Sequence, residues 1–127
     1  MITVGGFLDI ISKDRSWTAG EDFGNEGDVL LRKNCARILH RFLQKVKNEP
    51  DEIYDLPSSS DIRDIYDCRI CAPHIVQVTA KGIMLPQTTG CLMLFCGDKE
   101  VREDEAVEYV KRLENRNARQ KLSVELQ

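Results

Sequence analysis

Apolar residues recur at three- and four-residue intervals in several stretches of the chain, and this spacing predicts helices. Phe7, Leu8, Ile10 and Ile11 share one face of a segment at 2–13, with Thr3 placed to cap it. Leu31, Cys35, Ile38, Leu39, Phe42, Leu43 and Val46 mark a longer helix from about Asp28 to Lys47, ended by Asn48-Glu-Pro50. Arg32, Arg37, Arg41 and Lys45 lie off its stripe. Ile62, Ile65, Tyr66 and Arg69 continue at helical spacing behind Ser60, which can cap a helix from Asp61. Ile75, Val76, Val78 and Thr79 have strand propensity, yet Pro73 suits a first helical position and Gly82 a stop, so a helix is expected there. The last helix is expected from near Arg102 to about Arg119, buried through Ala106, Val107, Tyr109, Val110 and Leu113, with Glu108 and Arg112 as an i,i+4 pair.

Between these segments the pattern lapses. Residues 14–29 read as a loop docked by Trp17 and Phe23, with exposed aromatic stacking as the alternative. Residues 83–100 read as irregular; the apolar run 91–96 is expected as a buried loop, with a short strand as the alternative. Beyond Leu113 the helical face turns polar, so 114–127 is expected as a frayed or solvated tail. The fold class is therefore mainly α, a small helical bundle in a single domain spanning 1–127.

Composition narrows the function. A chain of 127 residues with net charge −3 lacks the basic surface that nucleic acid requires. No run reaches the roughly 18–20 apolar residues of a membrane span. The N-terminus lacks a basic segment, carries glycines at 5 and 6, and meets Asp9 early, so it does not read as a signal peptide. With five cysteines, an odd number, this predicts a cytoplasmic protein. The alternative is a cell-surface location, if the chain is a fragment of an exported protein.

Cys68-Arg-Ile-Cys71, His74, Cys91 and Cys96 supply enough soft ligands for a zinc site, but nothing shapes a knuckle at Cys68. The blander expectation places Cys91 and Cys96 in the core and Cys68 and Cys71 on a helix; Cys35 reads as a small buried hydrophobe. His40 reads as structural. No nucleophile motif, phosphate-cradling loop or distinct general acid is present, so no catalytic residue, metal or cofactor is assigned, and a non-enzyme is expected.

Three helix starts can be laid on one another. Val4, Arg32 and Arg102 fall together, then Gly6, Asn34 and Asp104, then Phe7, Cys35 and Glu105, then Leu8, Ala36 and Ala106. Ile11, Leu39 and Tyr109 follow. Arg32 through Leu43, Ile53-Tyr-Asp-Leu-Pro57, Ala72 through Met84, and Phe95-Cys-Gly-Asp98 leading into Val101-Arg102-Glu-Asp104-Glu-Ala106 then follow one repeat pattern. In this the chain resembles the S-layer homology domain family, over about residues 28–113 with a fainter copy at 2–11. The resemblance implies a helical domain of degenerate pseudo-repeats that anchors proteins to an anionic cell-wall polysaccharide. It implies ligand-binding roles for Arg32 and Arg102, whose guanidiniums suit acidic sugars, and for Asp104. The chain departs from the family in that the motif threonine survives only at Thr3 and the acid only at Asp104. The alternative is a helical protein-interaction or scaffold domain without a glycan site, or a small zinc protein.

Overall fold

The computed structural model describes residues 2–52, 62–89 and 92–120. Among them are helices α1 (Val4–Ile11), α2 (Arg32–Lys45), α3 (Ala72–Ala80) and α4 (Glu103–Glu114). An antiparallel hairpin, β1 (Gln87–Thr89) and β2 (Leu92–Leu94), joins α3 to α4, with Gln87 opposite Leu94. Short 3₁₀ turns lie at Ser16–Thr18 and Arg116–Ala118. The domain is mainly α, as the periodicity predicts. One apolar core runs through all four helices, filled by Phe7, Ile38, Leu39, Leu43, Val78 and Phe95.

The helix starts are tied to one another by backbone. An α-helix leaves its first N–H groups unpaired, and another segment must satisfy them. At α1, Val4 and Gly5 donate to the carbonyls of Asp28 and Glu26, each at 2.9 Å. At α2, Arg32 and Lys33 donate to Lys99 and Gly97, again at 2.9 Å. Leu30 returns a bond to Ile2, and Val101 one to Leu30. Thr3 thus bridges Val29, and Leu31 bridges Glu100. Thr3 and Leu31 each face the residue two before the next N-cap, so the same interlock occurs twice, between α1 and α2 and between α2 and α4.

That interlock corrects the register by one residue at the third copy. The N-caps are Thr3, Leu31 and Arg102, so Arg32 is equivalent to Glu103 and not to Arg102. The residues just before the caps, Ile2, Leu30 and Val101, are 4%, 0% and 1% exposed. Phe7, Cys35 and Ala106, three residues into each helix, are all fully buried.

Caps explain the boundaries. The Thr3 hydroxyl accepts the Gly6 N–H at 3.1 Å. Helix α2 begins four residues later than Asp28, because Val29 and Leu30 are held extended by the bridges to Thr3 and Ile2. Past its end, Asn48 takes a left-handed φ of 52°. Helix α3 closes in a Schellman motif: Gly82, at φ 75°, donates to Thr79, and Ile83 donates to Val78. Helix α4 ends at Glu114, earlier than Arg119, because Asn115 is extended and its side chain caps the next 3₁₀ turn.

Two further expectations differ from the structure. Residues 62–71 form turns, not a helix, while Ser60 and Asp61 lie outside the described residues. Ile62 pairs in parallel with Met93, and the Asp64 carboxylate accepts the N–H groups of Phe95 at 2.7 Å and Cys96 at 2.8 Å. These bonds hold the segment against the hairpin in place of an i to i−4 ladder. Cys68 and Cys71 lie in those turns, joined to each other by a disulfide. Residues 115–120 fold back onto the domain through Arg119, while 121–127 lie outside the described residues. Trp17 and Phe23 are buried, and Trp17 meets Phe42 edge-on at 5.2 Å, so they dock the 14–29 loop.

Candidate functional site

Arg32 opens α2 and points into the domain, 3% exposed. It is neither a surface arginine nor a free one. Its Nε donates to Phe95 O at 2.9 Å, Nη1 to the Tyr109 hydroxyl at 2.8 Å, and Nη2 to Leu85 O at 2.7 Å. The guanidinium also lies 4.6 Å from the centre of the Phe95 ring, a cation–π distance. Three of its five N–H bonds are thus spent fixing the hairpin and α4 to α2. Burial holds the Tyr109 hydroxyl above its ordinary pKa, opposed by the nearby Arg32 charge.

Above Arg32 lies a groove of about 530 Å³ between α4 and the start of the hairpin. Arg32 and Tyr109 form its floor, and Gln87, Asp104, Glu108 and Arg112 are among its walls. Residues 105, 108, 109 and 112 recur at helical spacing, so one face of α4 supplies much of the lining. Arg112 is largely committed, bonded to Glu108 at 3.1 Å and to Ile83 O at 3.1 Å. The groove lining therefore sets the carboxylates of Asp104, Glu105 and Glu108 beside the guanidiniums of Arg32 and Arg112, with the Gln87 amide able to donate or accept.

The three residues implied by the resemblance are placed unequally. Arg32 and Asp104 line the same groove. Arg102 stands outside it, 73% exposed along its side chain, and grips Asp104 at 3.2 Å and 3.4 Å. That contact holds the Asp104 carboxyl below its usual pKa and the guanidinium above its own. The Arg102 backbone N–H donates to Glu105 at 2.9 Å, so the α4 cap relies on that carboxylate and not on the arginine side chain. Tyr109, Glu108 and Gln87 escape a reading of the sequence centred on the repeat motif; the regular spacing along α4 is the signal that reaches the first two.

Two other polar centres lie away from the groove. Glu49 accepts a bidentate pair from Arg119 at 2.8 and 2.9 Å and meets Lys81 Nζ at 2.8 Å. Burial alone would raise the Glu49 pKa, but the Arg119 and Lys81 hydrogen bonds outweigh it and lower it to about 2. His40, 3% exposed, bonds Asp51 through Nε2 at 2.7 Å and His74 through Nδ1 at 2.8 Å. With His40 donating to Asp51, its Nδ1 accepts the His74 N–H. Burial, then the neighbouring His40, Arg41 and Arg37, lowers the His74 pKa to about 4.

Cys35 is fully buried, and burial pushes its thiol pKa up. Cys96 is half-buried at φ 60°, not a core residue, and Cys91 lies outside the described residues. The Cys68 and Cys71 sulfurs bond each other, and no cluster of three or more His, Cys, Asp or Glu side chains with metal-binding geometry occurs among the described residues. No described helix is long and apolar enough to cross a membrane.

No protein-family model matches the chain, and no curated protein matches it in sequence. Among solved structures, the fold is similar to part of an undecaheme cytochrome from the S-layer of Carboxydothermus ferrireducens, with a TM-score of 0.62 and 13% identity. The similarity covers 87% of this chain but 16% of that one, so the chain spans less than a fifth of its structural relative. At this identity the likeness is one of fold.

Proposed function

We propose that this domain is a non-catalytic, glycan-binding module of the S-layer-homology type, displayed at the cell envelope, with its ligand in the groove above Arg32. The carrying observation is that Arg32 and Asp104 line one groove, although 72 positions separate them in the chain. Similarity of fold to part of a cytochrome from an S-layer supports the same reading.

The groove refines the ligand chemistry. Asp104, Glu105, Glu108 and Gln87 can accept hydrogen bonds, while Arg32 donates three of its five N–H bonds and Arg112 two of its five to the protein itself. With three carboxylates against two guanidiniums in the lining, a glycan offering hydroxyl or ammonium donors suits the groove better than the anionic polysaccharide that the resemblance implies. In this role Arg32 is the rigid floor, Asp104 the direct contact, and Arg102 a clamp on Asp104.

Co-sedimentation with purified cell-wall sacculi tests the proposal. The chain is expected in the pellet, and Asp104→Ala in the supernatant with an unchanged melting temperature. A wild-type chain that stays in the supernatant contradicts the reading.

A further inference from the structure

The turns at 62–71 hold chemistry that the groove does not use. The Cys68–Cys71 disulfide spans a sequence separation of 3. A crosslink over so short a loop removes little entropy from the unfolded chain, so its value as a staple is small. Its sulfurs are unequally placed. Cys71 is 1% exposed and sits at the N-cap of α3, whereas Cys68 is half-buried and lines a small cavity of about 30 Å³. Asp64, Asp67, Asp98 and Lys33 share that cavity. Tyr66, two residues before Cys68, and Ile70, next to Cys71, are 74% and 71% exposed, so the same turns offer an incoming polypeptide exposed apolar side chains.

We propose that Cys68–Cys71 is a thiol–disulfide exchange site whose partner is a dithiol carried on a polypeptide. One partner thiolate attacks Sγ of Cys68, the less buried of the two cysteines. The Cys68–Cys71 bond breaks, and its electron pair leaves with Cys71 Sγ. The partner's second thiolate then attacks its own sulfur in the mixed disulfide and displaces Cys68. The partner loses two electrons and becomes a disulfide; Cys68 and Cys71 gain them and take up the two protons the partner thiols release. One feature fits this direction of attack. The leaving Cys71 thiolate forms at the N-terminus of a nine-residue helix, where negative charge is favoured. Three carboxylates against one ammonium beside Cys68 repel an attacking thiolate, so the partner that fits carries compensating cationic residues beside its dithiol.

The full chain should be incubated with a synthetic dithiol peptide carrying apolar and cationic residues, and each cysteine followed by peptide mass mapping, which reports Cys35, Cys91 and Cys96 separately. The expected result is reduction of Cys68–Cys71 in the native chain with recovery of oxidised peptide. Cys71→Ser should trap a mixed disulfide with cystamine at Cys68 at least ten times faster than Cys68→Ser does at Cys71. Reduction only after denaturation, or equal trapping at both sulfurs, overturns the proposal. The Cys68→Ala, Cys71→Ala double variant covers the remaining case. It should melt within a few degrees of wild type, and a fall of more than 10 °C would make the bond a structural staple and overturn the proposal.

Discussion

The Arg32 guanidinium donates to the Tyr109 hydroxyl at 2.8 Å, joining the first turn of α2 to the middle of α4 across 77 positions of sequence. The same guanidinium holds the backbone carbonyls of Phe95 and Leu85. Removing it strands buried acceptors on three segments. Arg32→Ala is expected to destabilise the domain by about 3 kcal/mol or more, since each buried group left unpaired costs about 1–3 kcal/mol. Tyr109→Phe removes one bond of that set and should cost about 1 kcal/mol. Urea unfolding of both variants checks this; equal effects would mean that the backbone contacts contribute nothing.

The Glu49 cluster gives the domain an acid limit. With its folded pKa lowered to about 2 from 4.5, Glu49 contributes stability that is fully present above the unfolded pKa and is lost as pH falls from about 4.5 towards 2. The loss is on the order of 2–3 kcal/mol. Glu49→Gln should flatten the pH dependence of unfolding in that window, and it should free Arg119 and Lys81 from their shared anion. An unchanged slope would show that the cluster is not coupled to folding.

His74 acts at higher pH. Its folded pKa, near 4, lies below the unfolded value of 6.5. The unfolded chain therefore binds the proton first, and stability present above about 6.5 is lost as pH falls to about 4. The half-buried position limits the loss to about 2 kcal/mol. In NMR titration the His74 ring should remain neutral at pH 5.5, and His74→Gln should remove the slope between 6.5 and 4. A His74 resonance that titrates near 6.5 contradicts the assignment.

Gly82 is required twice over. Its φ of 75° favours glycine, and a Cβ there would overlap the Gln120 backbone, whose N–H donates to Gly82 O at 3.0 Å. Gly82→Ala should cost about 2 kcal/mol or more and release residues 115–120 from the domain. Faster amide exchange at Gln120 in the variant reports that release; unchanged exchange would mean that residues 115–120 shift without loss.

Local rules made part of this architecture legible. The Thr3 cap, the Gly82 stop and the Glu108–Arg112 pair each follow from chemistry within four residues. The repeat was also legible, but the register at its third copy was not. Matching Arg102 to Arg32 by residue type hides the interlock, whereas the buried set Ile2, Leu30 and Val101 reveals it. The hairpin strands are three residues each, too short for alternation to show, and Cys91 to Cys96 reads as one apolar run. The turns at 62–71 copy helical spacing, but Asp64 and Ile62 spend their bonding groups on the hairpin, a long-range choice that periodicity does not encode. In the candidate site, the resemblance points to Arg32, Arg102 and Asp104, of which Arg32 and Asp104 line one groove and Arg102 stands outside it. The burial of Arg32 was not, because its partners are two carbonyls and a hydroxyl far along the chain.

The groove above Arg32 is the centre of the account, and an NMR titration of the labelled chain with soluble cell-wall glycan fragments tests it most directly. Saturable shifts are expected, concentrated at Gln87, Asp104, Glu105 and Glu108, with Asp104→Asn weakening binding at least tenfold. Absence of saturable shifts, or shifts centred on Tyr66 and Ile70 instead, would contradict it.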